Sequence, residues 1–195
     1  MFTCMTNSAR DKGDRFEREA VKLLLEIAPD LAVPKAQRKL GSGRREDVGD
    51  LHFFPDVAVQ VRAYANLPKA LRSAAVDAVA QAAHGDMAFS LGMAPVPRAL
   101  SRQVKWLASC LQWPVHLDED EVAVFGEPMR AVRHARLETI GVPRRRRVAR
   151  VERGAQEAVW IAPIEAWLAA YRKAKSSTPL TAEQATQHQR IAAAS

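Results

Sequence analysis

A strand followed by an alanine-rich helix, between residues 57 and 83, constrains the fold more than any other part of the chain. Apolar residues alternate through 57–64, which is the period of a β-strand with one buried face. Asn66 predicts an N-cap, and Pro68 and Gly85 mark the start and the end of a helix. Small apolar residues recur along that helix at helical spacing, so it can pack closely against a sheet.

Further elements predict that this unit belongs to a mixed α/β layer. The pattern indicates a helix over 14–27, short strands over 49–54 and 86–91, and a closing helix from Ile164 to Tyr171. The order helix, strand, strand, helix, strand favours an α/β fold with one central sheet. Leu100 to Leu111, with Trp106, is predicted to be a helix. We therefore expect an arm over 1–12, one domain over 13–174 with a less regular insertion near 98–155, and a flexible tail over 175–195.

Charge points to a polyanionic partner. The chain carries 29 basic and 22 acidic residues, for a net charge of +7. Arginine dominates the basic set, and its planar fork of donors suits phosphate. Two cysteines, Cys4 and Cys110, exclude a cysteine-based zinc module and suit a reducing cytosol. Because no apolar run approaches eighteen residues, we expect no membrane span and a cytoplasmic location.

Three segments carry side chains suited to phosphodiester hydrolysis. Glu17 falls on the apolar side of the first helix, where a carboxylate is costly unless it has a partner. Asp50 lies on one predicted strand, and Gln60 and Arg62 share one face of the next. Carboxylate oxygens bind Mg²⁺, and a nearby cation offsets the charge that develops on a reacting phosphate.

The order of these motifs resembles the PD-(D/E)XK nuclease superfamily, most closely archaeal-type Holliday-junction resolvases and their phage relatives. The matching segments are Gly13-Asp-Arg-Phe-Glu17-Arg-Glu19, Gly41-Ser-Gly, Gly49-Asp50-Leu51 and Val59-Gln60-Val61-Arg62. The resemblance implies a restriction-endonuclease-like core, a mixed central sheet flanked by helices.

The same resemblance implies an activity and a site. The activity would be metal-dependent endonuclease cleavage of branched or Holliday-junction DNA by a homodimer. Glu17, Asp50 and Gln60 would hold Mg²⁺ or Mn²⁺, and Arg62 would stabilise the reacting phosphate.

Two departures from the family pattern leave the activity open. Gln60 stands where the family has Glu, which removes a charge, and Arg62 stands where it has Lys and cannot accept a proton from water. Asp56, Glu46 or Asp47 could supply the missing carboxylate. Alternatively, Glu17 could pair with Arg62 in a non-catalytic core, and Asp50 could be an ordinary turn residue. The chain would then be a catalytically degenerate nuclease fold, serving as a phage structural protein of the virion or neck or as a DNA-binding accessory protein.

Arginine clusters are the predicted contacts to DNA, branched or duplex. One pair lies in the Gly-Ser loop, and the other four form the densest basic run of the chain. They would contact the phosphate backbone, which favours recognition of shape over sequence, although such a run is often simply solvated. These residues are Arg44, Arg45, Arg144, Arg145, Arg146 and Arg147.

Overall fold

The computed structural model describes residues 8–38, 49–96, 105–139 and 146–177 and shows a mixed eight-stranded sheet with helices on both faces. The strands are β1 (Gln37–Arg38), β2 (Leu51–His52), β3 (Val57–Val61), β4 (Phe89–Pro95), β5 (Trp106–Cys110), β6 (Val122–Phe125), β7 (Val148–Arg153) and β8 (Gln156–Pro163). The helices are α1 (Ser8–Ile27), α2 (Leu67–His84), α3 (Pro128–Thr139) and α4 (Ile164–Ser177). The predicted α/β class is confirmed.

The sheet has the strand order β1-β2-β3-β4-β5-β8-β7-β6. Two pairs are parallel, β3 with β4 and β6 with β7, and the remaining neighbours are antiparallel. Each parallel pair needs a crossover, which α2 supplies for the first pair and α3 for the second. None of the described helices is both long enough and apolar enough to cross a membrane.

Two hydrophobic clusters lie on opposite faces of the sheet. Apolar residues of α1 and α4, such as Leu24 and Trp167, belong to one cluster together with Val59 and Val61 of β3. Residues of α2 and α3, such as Leu71 and Val132, belong to the other. We call these the α1–α4 face and the α2–α3 face.

The structure confirms the N-cap and the C-terminal glycine that the sequence predicts for α2. The Asn66 side chain accepts a hydrogen bond from the Lys69 amide at 3.0 Å, and the helix ends at Gly85. Its alanines allow a close approach to β4. A Cβ added at Gly92 would lie 2.7 Å from backbone atoms of Ala74 and Ala75. The helix and the strand are therefore as close as side chains of this size permit.

The predicted helix over 100–111 is wrong where the structure describes it. Trp106–Cys110 is β5, with every residue buried. Trp106 and Ala108 contribute to the cluster of the α1–α4 face, whereas Leu107 contributes to the other. A strand buried on both faces has no polar alternation, so its apolar run cannot be distinguished by pattern from a helix. The segment near 98–155 also contains β6, α3 and all of β7, and its strands belong to the same sheet.

The closing helix is confirmed as α4, and three of its side chains bind two carboxylates in the rest of the domain. The Tyr171 hydroxyl donates to Asp56 at 2.5 Å, and Lys175 contacts the other oxygen of that carboxylate at 3.0 Å. Burial and the neighbouring carboxylate together raise the pKa of Tyr171 far above its ordinary value. Arg172 pairs with Asp30 through both oxygens.

Candidate functional site

Gly49 and Asp50 form the turn that leads into β2. Gly49 has φ +97°, and a Cβ there would lie 2.7 Å from the carbonyl oxygen of Val59, so glycine is required. The Asp50 amide donates to that same carbonyl at 2.8 Å. The Asp50 carboxylate turns back to accept the Val61 amide, also at 2.8 Å. Asp50 therefore holds the end of β3 in place.

Arg62 lies between two carboxylates. Its guanidinium contacts Asp50 Oδ2 at 3.0 Å and Asp77 Oδ2 of α2 at 2.9 and 3.0 Å. Ser73, one turn earlier on α2, donates to the same Asp77 oxygen at 3.2 Å. Partial burial would lower the pKa of Arg62, but the two carboxylates outweigh it and raise that pKa above its ordinary value. This network joins β2, β3 and α2 at the carboxyl end of β3.

Gln60 lies on the same face as Arg62 and is 3% exposed. It pairs in register with Gly92 of β4, where the backbone of α2 lies close to the sheet. Its Oε1 atom is buried and accepts no hydrogen bond within the described part of the chain. A buried amide oxygen without a donor is costly, so this atom is a place where an added water or cation would stabilise the fold.

Glu17 belongs to the other face. It is half-buried on α1, whose buried residues Ala20 and Leu24 pack in the cluster of the α1–α4 face. The β3 side chains that share this face are Val57, Val59 and Val61. Of the four predicted catalytic residues, the structure places Asp50, Gln60 and Arg62 on the α2–α3 face and Glu17 on a helix of the opposite face.

The structure describes some of the residues on which the alternatives left open by the sequence depend. Asp50 lies at a bend directly before β2 and is also a partner of Arg62. The carboxylates that the structure shows against Arg62 are Asp50 and Asp77. Asp56 precedes β3 and binds Tyr171 and Lys175, so it lies at the other end of the strand from Arg62. Glu46 and Asp47 fall outside the described residues.

The described residues provide only part of the metal site that the resemblance implies. Among them no group of three histidine, cysteine or acidic side chains is arranged to hold a metal ion. The Oδ2 atom of Asp50 already accepts the Val61 amide and the Arg62 guanidinium. A cation 3.0 Å from that oxygen repels a second cation at the same place.

Sequence reasoning missed Asp77 and the basic side of α3. Asp77 follows Ser73 by four residues in α2, so the two polar side chains are neighbours on the surface of the helix. They interrupt its series of alanines. In α3, arginines recur every third residue, and the residues between them, Ala131, Val132 and Ala135, are buried. This periodicity could have predicted both the helix and its exposed basic side. The arginines of α3 are Arg130, Arg133 and Arg136.

Five cations define a basic patch on the α2–α3 face: Lys69, Arg72, Arg130, Arg133 and Arg153. Lys69, Arg130, Arg133 and Arg153 are exposed, and Arg72 is half-buried. No described carboxylate lies within ion-pair distance of any of the five. Arg72 donates to the backbone carbonyl of Glu157 at 3.4 Å. The patch therefore presents its charge to solvent.

The predicted arginine clusters are placed only in part. Arg146 and Arg147 are exposed and directly precede β7, and Arg147 lines a cleft beside α4. Arg44, Arg45, Arg144 and Arg145 fall outside the described residues. No family model, no curated protein and no solved structure matches the chain. The resemblance to the nuclease superfamily stays a prediction.

Proposed function

We propose that the chain is a nucleic-acid-binding protein built on a restriction-endonuclease-like core whose catalytic position has become a structural ion-pair network. The observation that carries the proposal is the basic patch, five cations on one face with no described carboxylate in ion-pair distance of any of them. Phosphates are the ligands that such a patch attracts, through charge and through release of bound counterions. The core supports the proposal at the level of architecture, because a mixed central sheet flanked by helices is what the resemblance implies.

The geometry of α3 supports contact with a phosphate backbone. Arg130 and Arg133 are one turn apart and exposed, whereas the opposite side of the helix is buried against the sheet. A helix held in this way presents two guanidinium groups from a rigid support. Arg153, at the end of β7, and the first turns of α2 extend the same surface. The backbone carbonyl of Arg146 contacts His134 of α3, whereas Arg147 lines a cleft beside α4. These two exposed arginines would add contacts to a DNA that extends past α3 towards α4.

The ion-pair network supports binding without cleavage. A guanidinium that is held by two carboxylates has little freedom to contact a phosphate, because each new contact has to replace a 2.9–3.0 Å pair. Gln60 supplies no charge, and Glu17 belongs to the other face of the sheet. We accordingly propose that the chain is a DNA-binding accessory or virion protein and that it acts as a homodimer.

Metal-dependent endonuclease activity is the second candidate, and one observation favours it. The buried Gln60 Oε1 accepts no hydrogen bond from the described residues, and an oxygen in that position is a suitable ligand for Mg²⁺ or Mn²⁺. The test is a nicking assay on a four-way junction and a linear duplex with either metal. We expect no cleavage. Cleavage that disappears in Asp50→Asn would establish the second candidate in place of the first.

Binding is tested by fluorescence anisotropy on a labelled duplex and a four-way junction at several salt concentrations. The double variant R130S/R133S should weaken binding to both DNAs and reduce the salt slope by about 2, since each phosphate contact contributes about 0.9 to it. The matched control is R15S/R18S, which removes two exposed arginines from α1 on the other face. Equal effects of the two variants would contradict a specific role for the basic patch.

A further inference from the structure

A cleft lies on the α2–α3 face, between the first turns of α2 and α3, and reaches the sheet. Its volume is about 260 Å³. Its floor is formed by Val151, Val159 and Ile161 of β7 and β8, and all three are buried. Lys69, Arg72 and Arg153 stand around it. The cleft therefore combines an apolar floor with three cations.

This combination restricts the chemistry of the occupant. The part of a ligand that contacts the floor must be compact and weakly hydrated. The floor offers no polar side chain that could replace the hydrogen bonds to water that this part loses on binding. The three cations require anionic groups, and two of them come from α2 while the third comes from the far end of β7. Negative charge is therefore needed on more than one side of the apolar body. A nucleotide within a strand has that arrangement, with a phosphate on each side of its base.

We propose that the cleft binds one unpaired nucleotide of a nucleic-acid strand, with the base over the apolar floor and the flanking phosphates against Lys69, Arg72 and Arg153. The proposal rests on the proposed function and names the feature of the DNA that is recognised. The volume of the cleft lies just below the range of about 300–1,000 Å³ that is typical of small-molecule sites. The cleft therefore suits a single base and not a larger body. A base that is stacked in a duplex cannot reach the floor unless it leaves the stack. Binding therefore favours gaps, bulges, junction centres and single strands.

A free mononucleotide offers the same chemistry as a nucleotide within a strand. The strand is favoured because the basic patch continues from the cleft along α3 to Arg130 and Arg133, where further phosphates of the same strand would meet cations. A mononucleotide would leave those cations unused. Competition with dAMP distinguishes the two sources.

The test compares three labelled duplexes of one sequence: fully paired, with one unpaired adenosine bulge, and with an abasic site in the same bulge. Wild-type protein should bind the adenosine bulge about tenfold more tightly than the paired duplex, and the abasic bulge should lose most of that gain. The variant R72Q/R153Q should bring the preference close to onefold. The matched control R130Q/R133Q, on the same face outside the cleft, should weaken all three complexes and keep the preference. Thermal melting of both variants establishes that they are folded.

Four results would overturn the proposal. They are equal binding of the paired and bulged duplexes by wild-type protein, equal binding of the adenosine and abasic bulges, an unchanged preference in R72Q/R153Q, and displacement of bulged DNA by micromolar dAMP. Failure to bind any of the three duplexes contradicts the proposed function itself. The two failures are therefore distinguishable.

Discussion

Replacing Arg62 by methionine separates a structural role of this residue from a role in binding phosphate. The substitution keeps most of the side-chain volume and removes the charge that joins Asp50 to Asp77. The contact with Asp77 is worth about 0.2–1 kcal/mol, because that carboxylate is 39% exposed and solvent screens the pair. The contact with Asp50 is more buried, at 26% and 22% exposure, and its loss costs about 1–3 kcal/mol. We expect a total of about 2–3 kcal/mol.

Urea unfolding followed by circular dichroism measures this cost, and a double-mutant cycle assigns it. For a chain of this length each kcal/mol lowers the melting temperature by about 2–4 °C, so Arg62→Met should melt about 5–10 °C below wild type. Asp77→Asn alone should cost less than Arg62→Met. Combined with Arg62→Met it should add almost nothing, because its partner is already absent.

The same variant is then assayed for DNA binding at a temperature where it is folded. A structural Arg62 predicts a dissociation constant within about twofold of wild type. Wild-type stability together with a tenfold or greater loss of binding would refute the reasoning, since Arg62 would then contact phosphate instead of holding the fold. Arg62→Lys is a useful companion, because a single ammonium group keeps the charge and cannot reproduce the fork that reaches both carboxylates.

Three further predictions concern packing. Tyr171→Phe removes a hydroxyl that donates to a carboxylate between β2 and β3, and urea unfolding should show a loss of about 1–2 kcal/mol. Gly92→Ala places a methyl group 2.7 Å from the backbone of α2 and should cost about 1–3 kcal/mol or more, whereas Gly13→Ala, with no neighbour within 4 Å, should not destabilise. Burial raises the pKa of the Cys110 thiol far above its ordinary value. In a Cys4→Ser background it should react with a thiol reagent only after unfolding, and prompt reaction in the native protein would contradict its burial.

The elements that could be predicted from the sequence are those whose apolar residues recur with a regular helical or strand period. The α1 stripe, the Asn66 cap with its alanine-rich helix, and the closing helix α4 all carry clear signals, and the structure confirms them. β5 carries no such signal, because both of its faces are buried and its apolar run fits a helix equally well. The network at Arg62 was only half predictable. Asp50 is marked by the glycine before it, but Asp77 becomes a partner only when the crossover from β3 to β4 brings α2 over the sheet.

The position of the candidate site shows what a two-residue spacing can and cannot predict. Gln60-x-Arg62 requires that both side chains share a face of β3, but the spacing does not determine which face. Contacts outside β3 determine the face. Gly92 in the neighbouring strand allows α2 to approach, and Asp77 on α2 pairs with Arg62, so this side of β3 faces α2. The side of β3 that faces α1 and Glu17 consists of valines, which neither bind metal nor move protons. A shift of one residue in the register of β3 would exchange the two faces and direct Gln60 and Arg62 towards α1, but it would bury Arg62 among the apolar residues of the larger core cluster. The hydrophobic pattern that stabilises the sheet therefore also directs Gln60 and Arg62 away from the face that α1 covers, which supports our proposal that the chain binds nucleic acid without cleaving it.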